Sequence, residues 1–231
     1  MVIFMRMRKK KNLDLRRDAC SEYFVCADPG HWRDGREDST PLYVEIGCGK
    51  GRFCVESCRQ MPDCRYVAVE REPNVIVMAA EKARAAALTN LSFISVDAIK
   101  LPEMFAPSEV DRIYLNFSDP WPPKKYWKRR LTHRRVLKQY DSILKLGGEL
   151  FFKTDNEDLF NFTLEELPQI GYEIRWFTHD LHAENVPNIM TEYEENFSAK
   201  GFKIHRLEAV KVADWTPEPV ADDNRQGDGN E

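Results

Sequence analysis

The run N-F-S-D-P-W-P-P-K-K-Y-W-K-R-R at residues 116–130 ends an apolar stretch on one carboxylate, Asp119, and continues with three prolines, three aromatics and five cations. Cations interleaved with flat rings suit a nucleic-acid backbone and its bases. A second set of residues lies upstream in V-E-I-G-C-G-K-G-R-F (44–53). Gly47, Gly49 and Gly51 permit tight turning and close approach of the backbone to a ligand, beside the free N–H groups of a following helix. A phosphate-binding loop would need a hydroxyl after Lys50, but Gly51 and Arg52 stand there. A dinucleotide loop would need its third glycine one residue later. Glu45, two residues before the first glycine, would repel a pyrophosphate and suits a ligand with an ammonium group. These features favour S-adenosylmethionine, a methyl donor without a pyrophosphate. Glu70, at the end of the next apolar run, is placed to accept from both ribose hydroxyls. Asp97, followed by Ala98, is placed to accept from the adenine amino group. The plainer alternative is a strand–turn–helix whose acids only sit at helix ends.

Strands and helices in alternation must hold these groups. L-Y-V-E-I (42–46), R-Y-V-A-V-E (65–70), L-S-F-I-S-V (91–96), D-R-I-Y-L-N-F (111–117) and G-E-L-F-F-K-T (148–154) are apolar runs of strand length. Helices are expected at about 51–61, over 73–88 with Pro73 in the first turn, over 131–145 with Gly147-Gly148 as the stop, and over 156–167. I-R-W-F-T-H-D-L (174–181) and F-K-I-H-R-L-E-A-V (202–210) supply two more strands as an antiparallel edge. The expected fold is α/β, a mainly parallel seven-stranded sheet with helices on both faces. In such sheets ligands bind beyond the carboxyl ends of the strands. Glu45, Glu70, Asp97, Asp119 and Asp155 each fall at, or just past, one of those ends.

Composition narrows the setting. At 231 residues with 42% hydrophobic content, the chain fits one large domain or two small ones and can bury a substantial core. No run of about 18 apolar residues is present, so no membrane span is expected. The apolar part of the opening M-V-I-F-M-R-M-R-K-K-K is too short for a signal peptide, which predicts a cytoplasmic protein. Six scattered cysteines without a C-x-x-C pair read as reduced, buried thiols and not as a metal site. The net charge of −4 hides an acidic segment at 213–231 with a balance of −5, which leaves about +1 for the rest. Residues 6–17 carry seven Lys/Arg against one acid, and residues 120–140 carry eight with no acid. Local basic patches of this kind keep a nucleic-acid partner open despite the acidic balance. The domain reading is a flexible basic arm (1–20), one domain (21–212) and a disordered acidic tail (213–231).

M-R-M-R-K-K-K-N (5–12), V-E-I-G-C-G-K-G-R-F, V-A-V-E-R-E (67–72), L-N-F-S-D-P-W-P-P-K-K-Y-W-K-R-R-L (115–131), F-F-K-T-D-N (151–156) and T-E-Y-E-E-N-F (191–197) together resemble the bacterial-type tRNA (guanine-N7-)-methyltransferases. The resemblance spans roughly residues 5–210. It implies a Rossmann-like class I methyltransferase fold, S-adenosylmethionine as donor and tRNA as partner, with N7 of a variable-loop guanine as acceptor. For donor binding it implies Glu45, Glu70, Asp97 and Asp119, and for substrate binding Asp155, Thr191, Glu192, Tyr193 and Glu194. The chain departs from the family pattern at Pro123, where a lysine is usual. Lys124 is expected to take that contact, with Lys125 or loss of the contact as alternatives.

Guanine N7 carries a lone pair and no proton, so no general base is needed to create the nucleophile. Placement of the two reactants then supplies most of the acceleration, and a fixed carboxylate would stabilise the purine as it becomes cationic. Asp119 is the expected catalytic residue; an Asp that only caps the proline turn is the alternative. Lys124, Lys125, Lys128, Arg129, Arg130, Arg134 and Arg135 are expected on phosphates, with Tyr126 and Trp127 either stacked on bases or packed under the basic helix and Trp121 packed. Thr191-x-x-Glu194 also fits a helix capping box. His179 and His182 are expected at the surface or in the core. A monomer or a homodimer would serve. The rival functions are an RNA-binding protein that keeps the fold with weakened catalysis, and a small-molecule methyltransferase.

Overall fold

The computed structural model describes residues 12–26, 28–33 and 40–214. The apolar runs form one sheet of seven strands: β1 (Leu42–Ile46), β2 (Arg65–Val69), β3 (Leu91–Ile94), β4 (Val110–Asn116), β5 (Leu144–Thr154), β6 (Tyr172–Thr178) and β7 (His205–Lys211). Their order is β3-β2-β1-β4-β5-β7-β6. The first five are parallel, and β7 runs antiparallel between β5 and β6. The chain therefore winds outward in one direction from β1 and in the other from β4. The crevice where strand order reverses opens beyond the ends of those two strands, where ligands of such sheets bind.

Side-chain alternation along the strands feeds two cores. On one face Tyr66, Ala68, Phe93 and Tyr114 pack under α2 (Arg52–Gln60) and α3 (Pro73–Ala85). On the other, Ile113, Leu115, Leu150, Phe152 and Leu207 pack under α4 (Arg134–Asp141) and α5 (Glu157–Glu166). Local signals set the helix starts. Pro73 opens α3 after Glu72, which accepts from the Asn74 N–H, and Asn156 caps α5 by accepting from the Leu159 N–H at 2.8 Å. Five cysteines (20, 48, 54, 58 and 64) are buried and Cys26 is exposed; all six are free thiols.

Three expectations need correction. The helix expected over 131–145 is α4, which ends at Asp141, and β5 begins at Leu144, before the glycines. Leu144 pairs with Val110, and the register shifts before Glu149 pairs with Arg112, so 145–148 form a bulge. Gly147, at φ +77°, supplies the left-handed backbone that the bulge uses instead of stopping a helix. The third strand stops at Ile94 instead of running to 96. The expected flexible basic arm does not extend to residue 20: α1 (Leu13–Asp18) is folded against α3, with Leu13 buried and Arg16 paired with Glu81 at 2.6 Å. Residues 1–11 of the arm, and the tail beyond 214, lie outside the described residues.

Gly51 marks a tight crossing. It precedes α2 at φ +83°, and a Cβ there would lie 2.4 Å from the Cβ of Ala79 in α3. Gly51→Ala is expected to cost roughly 2–4 kcal/mol, from backbone strain plus overpacking, read as a shift in denaturant midpoint.

Candidate active site

The crevice is floored by Glu45, the fourth residue of β1, which is 1% exposed. One of its oxygens accepts from Asn116 Nδ2 at 2.9 Å, across from the end of β4. The other, Oε2, is buried without a partner. Burial pushes the Glu45 carboxyl up to about 7, against the lowering effects of Asn116 and of nearby Lys153. A buried half-satisfied carboxylate is costly, and a cationic group bound above it would supply the missing contact. The loop over it has room: Gly47 and Gly49 have φ of +83° and +56°, and a Cβ at either would meet nothing within 4 Å.

Glu70 follows β2 and lies beneath this loop. It accepts from the Gly49 N–H at 3.2 Å and the Glu72 N–H at 2.9 Å, one on each oxygen. Each oxygen keeps lone-pair capacity for a hydroxyl. Asp97 caps a short 3-10 helix (Ala98–Glu103) by accepting from the Ile99 N–H. Asp119 stands three residues beyond β4. Arg71 reaches toward both, 4.0 Å from Asp97 and 3.8 Å from Asp119. All three side chains are about half exposed or more, so these pairs contribute little to stability. Arg71 follows Glu70 directly in V-A-V-E-R-E, and nothing in its sequence setting distinguishes it from a surface cation.

The second wall is built by β5 and α6 (Glu192–Ser198). Asp155, directly after β5, accepts from the Tyr193 hydroxyl at 3.2 Å. Burial, with Asp155 adding to it, pushes the Tyr193 phenol up to about 12. The Tyr193 ring stacks on Phe197 and lies 5.0 Å from Phe117, two residues before Asp119. Thr191 caps α6 by accepting from the Glu194 N–H at 2.9 Å. Glu194 is wholly buried and pairs with Lys153 at 2.6 Å, which corrects the expectation that its carboxylate faces substrate. It also accepts from Asn188 Nδ2 at 2.6 Å, and His182 Nε2 lies 3.3 Å away. Burial lowers the Lys153 pKa, opposed by Glu194. Glu192 forms an ion pair with Lys82 of α3, and Glu195 one with Arg52, so α6 is fastened over the start of α2. Nothing in the motifs alone marks Lys153 or Asn116 as part of the site. A single lysine inside the apolar run F-F-K-T was the available sign of a buried, paired cation.

The basic ribbon forms a 3-10 helix (Lys124–Arg129) after the prolines. Lys124, Lys125, Lys128 and Arg129 are exposed. Two expected phosphate contacts are elsewhere: Arg130 is buried at 1% exposure, and Arg134 is engaged by Glu166 through two hydrogen bonds of 2.7 and 2.9 Å. Trp127 is half-buried, packs edge to face 5.7 Å from Phe162 and donates to the Pro122 carbonyl at 3.1 Å. Trp121 and Tyr126 lie edge to face at 6.2 Å, with the Arg129 guanidinium over both rings. Among the described residues no cluster of His, Cys, Asp and Glu could hold a metal ion, and no helix is long and apolar enough to cross a membrane.

Residues 39–207 match the family model described as "Putative methyltransferase". A Brevibacillus brevis protein named tRNA (guanine-N(7)-)-methyltransferase is 45% identical over 185 residues, covering 79% of this chain and 86% of its own length. A protein of the same name from Bacillus cytotoxicus is 42% identical over 223 residues, covering 94% of this chain and all of the relative. Among solved structures, an antibiotic-related methyltransferase superposes with a TM-score of 0.56 at 16% identity, over 91% of this chain and all of that one, a likeness of fold alone.

Proposed function

The chain belongs to the tRNA (guanine-N(7)-)-methyltransferase family, and from that membership we propose how its residues move a methyl group from S-adenosylmethionine to N7 of a tRNA guanine. The donor supplies a methyl group on a cationic sulfur. The free Oε2 of Glu45 receives the donor's ammonium group, and the open backbone at Gly47 and Gly49 lets the donor lie close, with Gly51 setting the turn. Glu70 accepts from the ribose hydroxyls and Asp97 from the adenine amino group. Asp119 sits where donor and base meet. It orients the guanine and stabilises the positive charge that develops on the purine, a contribution of a few kcal/mol, about that of other preorganised groups. No residue has to remove a proton from N7.

Asp155 and Tyr193 hold one another at the same rim and present the substrate side, together with Thr191. Glu192 and Glu194 act through Lys82 and Lys153, by fixing α6. Lys124, Lys125, Lys128 and Arg129 meet the tRNA backbone, with Lys124 in the role of the lysine that Pro123 displaces. Every group used belongs to one chain, so a monomer suffices, and a cytoplasmic setting suits both tRNA and the free thiols.

The observation that carries this reading is the half-bonded Glu45 carboxylate beneath an open glycine loop. Incubation with unmodified tRNA and methyl-labelled donor tests it. Label is expected at N7 of one variable-loop guanine, and label elsewhere, or none, would refute it. The double change Lys124→Ala, Lys125→Ala is expected to weaken tRNA binding and to flatten the slope of log affinity against log salt by ~1 to ~2. An unaltered slope would exclude both lysines from phosphate contact.

A further inference from the structure

Arg130 closes the basic ribbon in sequence, yet its side chain points away from solvent. Its Nε donates to the carbonyl oxygen of Pro120 at 2.8 Å, the residue directly after Asp119. Its guanidinium carbon lies 4.4 Å from the centroid of Trp127 and 4.7 Å from that of Phe162, in the corner where these two rings meet edge to face. Its Nη1 is buried with no hydrogen-bond partner. An arginine meant for phosphate would be exposed, as Arg129 is. Among the described residues Arg130 makes no ion pair of the kind Arg134 makes with Glu166; Asp158 acts on it only from farther away.

The backbone it grips is unusual. Asp119 stands between two non-glycine residues with positive φ, Phe117 at +54° and Trp121 at +45°. Such conformations persist only where the surroundings impose them. Phe117 is held on the sheet side, its N–H donating to the Lys153 carbonyl at 2.8 Å. On the far side the Pro120 carbonyl is held by Arg130 and the Pro122 carbonyl by Trp127 Nε1. Both of these residues come from the segment that carries the exposed lysines.

We propose that Arg130 is a positioning residue for methyl transfer: it clamps the Asp119–Pro120 turn from beneath and links the tRNA-facing ribbon to the placement of the Asp119 carboxylate. The inference rests on the role given above to Asp119. Contact with the Trp127 and Phe162 rings and the Nε–H bond to Pro120 hold the guanidinium in place, so a lysine, which keeps the charge but lacks the planar group and the Nε–H, is a poor replacement.

The test measures single-turnover transfer at saturating tRNA and donor, and tRNA affinity over a salt series, for the full chain carrying Arg130→Lys, Asp119→Asn or both. Arg130→Lys is expected to lower the rate roughly 10- to 100-fold, the cost of a small misplacement of a reacting group. The tRNA affinity and its salt slope should remain those of the wild type. In the Asp119→Asn background the same change should add little, because it acts through that carboxylate. Reduced affinity with a shallower salt slope and an unchanged saturating rate would overturn the proposal, as would rate losses that multiply independently. A wild-type rate for Asp119→Asn would instead defeat the underlying role of Asp119. Should Arg130→Lys not fold, Trp127→Phe removes the N–H to Pro122 while keeping a ring over Arg130. It is expected to lower the rate, again without changing the salt slope, and an unchanged rate there would overturn the proposal.

Discussion

Asp119→Asn is expected to lower single-turnover methyl transfer by roughly 100- to 1,000-fold, the size seen when one preorganised stabilising group is removed. Binding of tRNA should survive. The Asp119 side chain is 65% exposed and its nearest cation, Arg71, lies 3.8 Å away, so neutralising it breaks no buried pair and should leave the fold intact. Asparagine keeps the shape and can still hydrogen-bond to the base, but it cannot answer the charge that grows on the purine. The exposed cations at 124, 125, 128 and 129, proposed to meet the tRNA backbone, are untouched by the change. The loss should therefore lie in the rate at saturation and not in the tRNA concentration required. Measured together, rate and affinity separate the two roles, and equal losses in both would assign Asp119 to substrate holding.

The second large effect is at the other end of the crevice. Glu45→Gln is expected to weaken donor binding roughly 30- to 1,000-fold, because a buried charge pair loses one member. It should also remove a pH dependence. In the free protein the Glu45 carboxyl is held up at about 7, above its ordinary 4.5, chiefly by burial. An acid raised in the folded state favours folding fully below its unfolded value and loses that contribution as pH rises through the folded one. Between pH 4.5 and pH 8 the empty protein should thus lose up to about 3 kcal/mol from this group. Donor affinity moves in the opposite direction. The donor's ammonium favours the ionised carboxylate, so affinity should rise as pH climbs toward about 7, with a proton released on binding below that point, and fall again as the ammonium itself deprotonates at about pH 8. Calorimetry in buffers of different ionisation enthalpy reads the proton directly. In Glu45→Gln both the proton release and the rise should vanish.

Particular residues show how far the chain could be understood before its structure. Glu45, Glu70, Asp97, Asp119 and Asp155 could be placed on one rim because a strand's end is visible where an apolar run stops, and the parallel sheet carries all such ends to one side. The antiparallel partner of β5 was visible for the same reason. Partners distant in sequence were not. Lys153 and Glu194 stand 41 residues apart and meet only because β5 and α6 pack together. That contact turns a residue of T-E-Y-E inward, where its motif alone pointed toward substrate. Arg130 and Arg134 looked like their exposed neighbours, since a count of cations cannot show which face of a short helix is covered. The stop assigned to Gly147-Gly148 failed because the same glycines serve a bulge as well as a helix end, and the pairing of Leu144 with Val110 decides between them.

In the proposed reading, a donor pocket around Glu45, a carboxylate at Asp119 and a basic ribbon together bring guanine N7 to an electrophilic methyl without a general base. The most direct measurement compares two tRNAs that differ only at the acceptor purine, one with guanine and one with 7-deazaguanine, under single-turnover conditions with labelled donor. Equal binding of both is expected, with methyl transfer to the guanine tRNA and none to its 7-deaza counterpart. Comparable transfer to both would contradict N7 as the nucleophile, and with it the role assigned to Asp119.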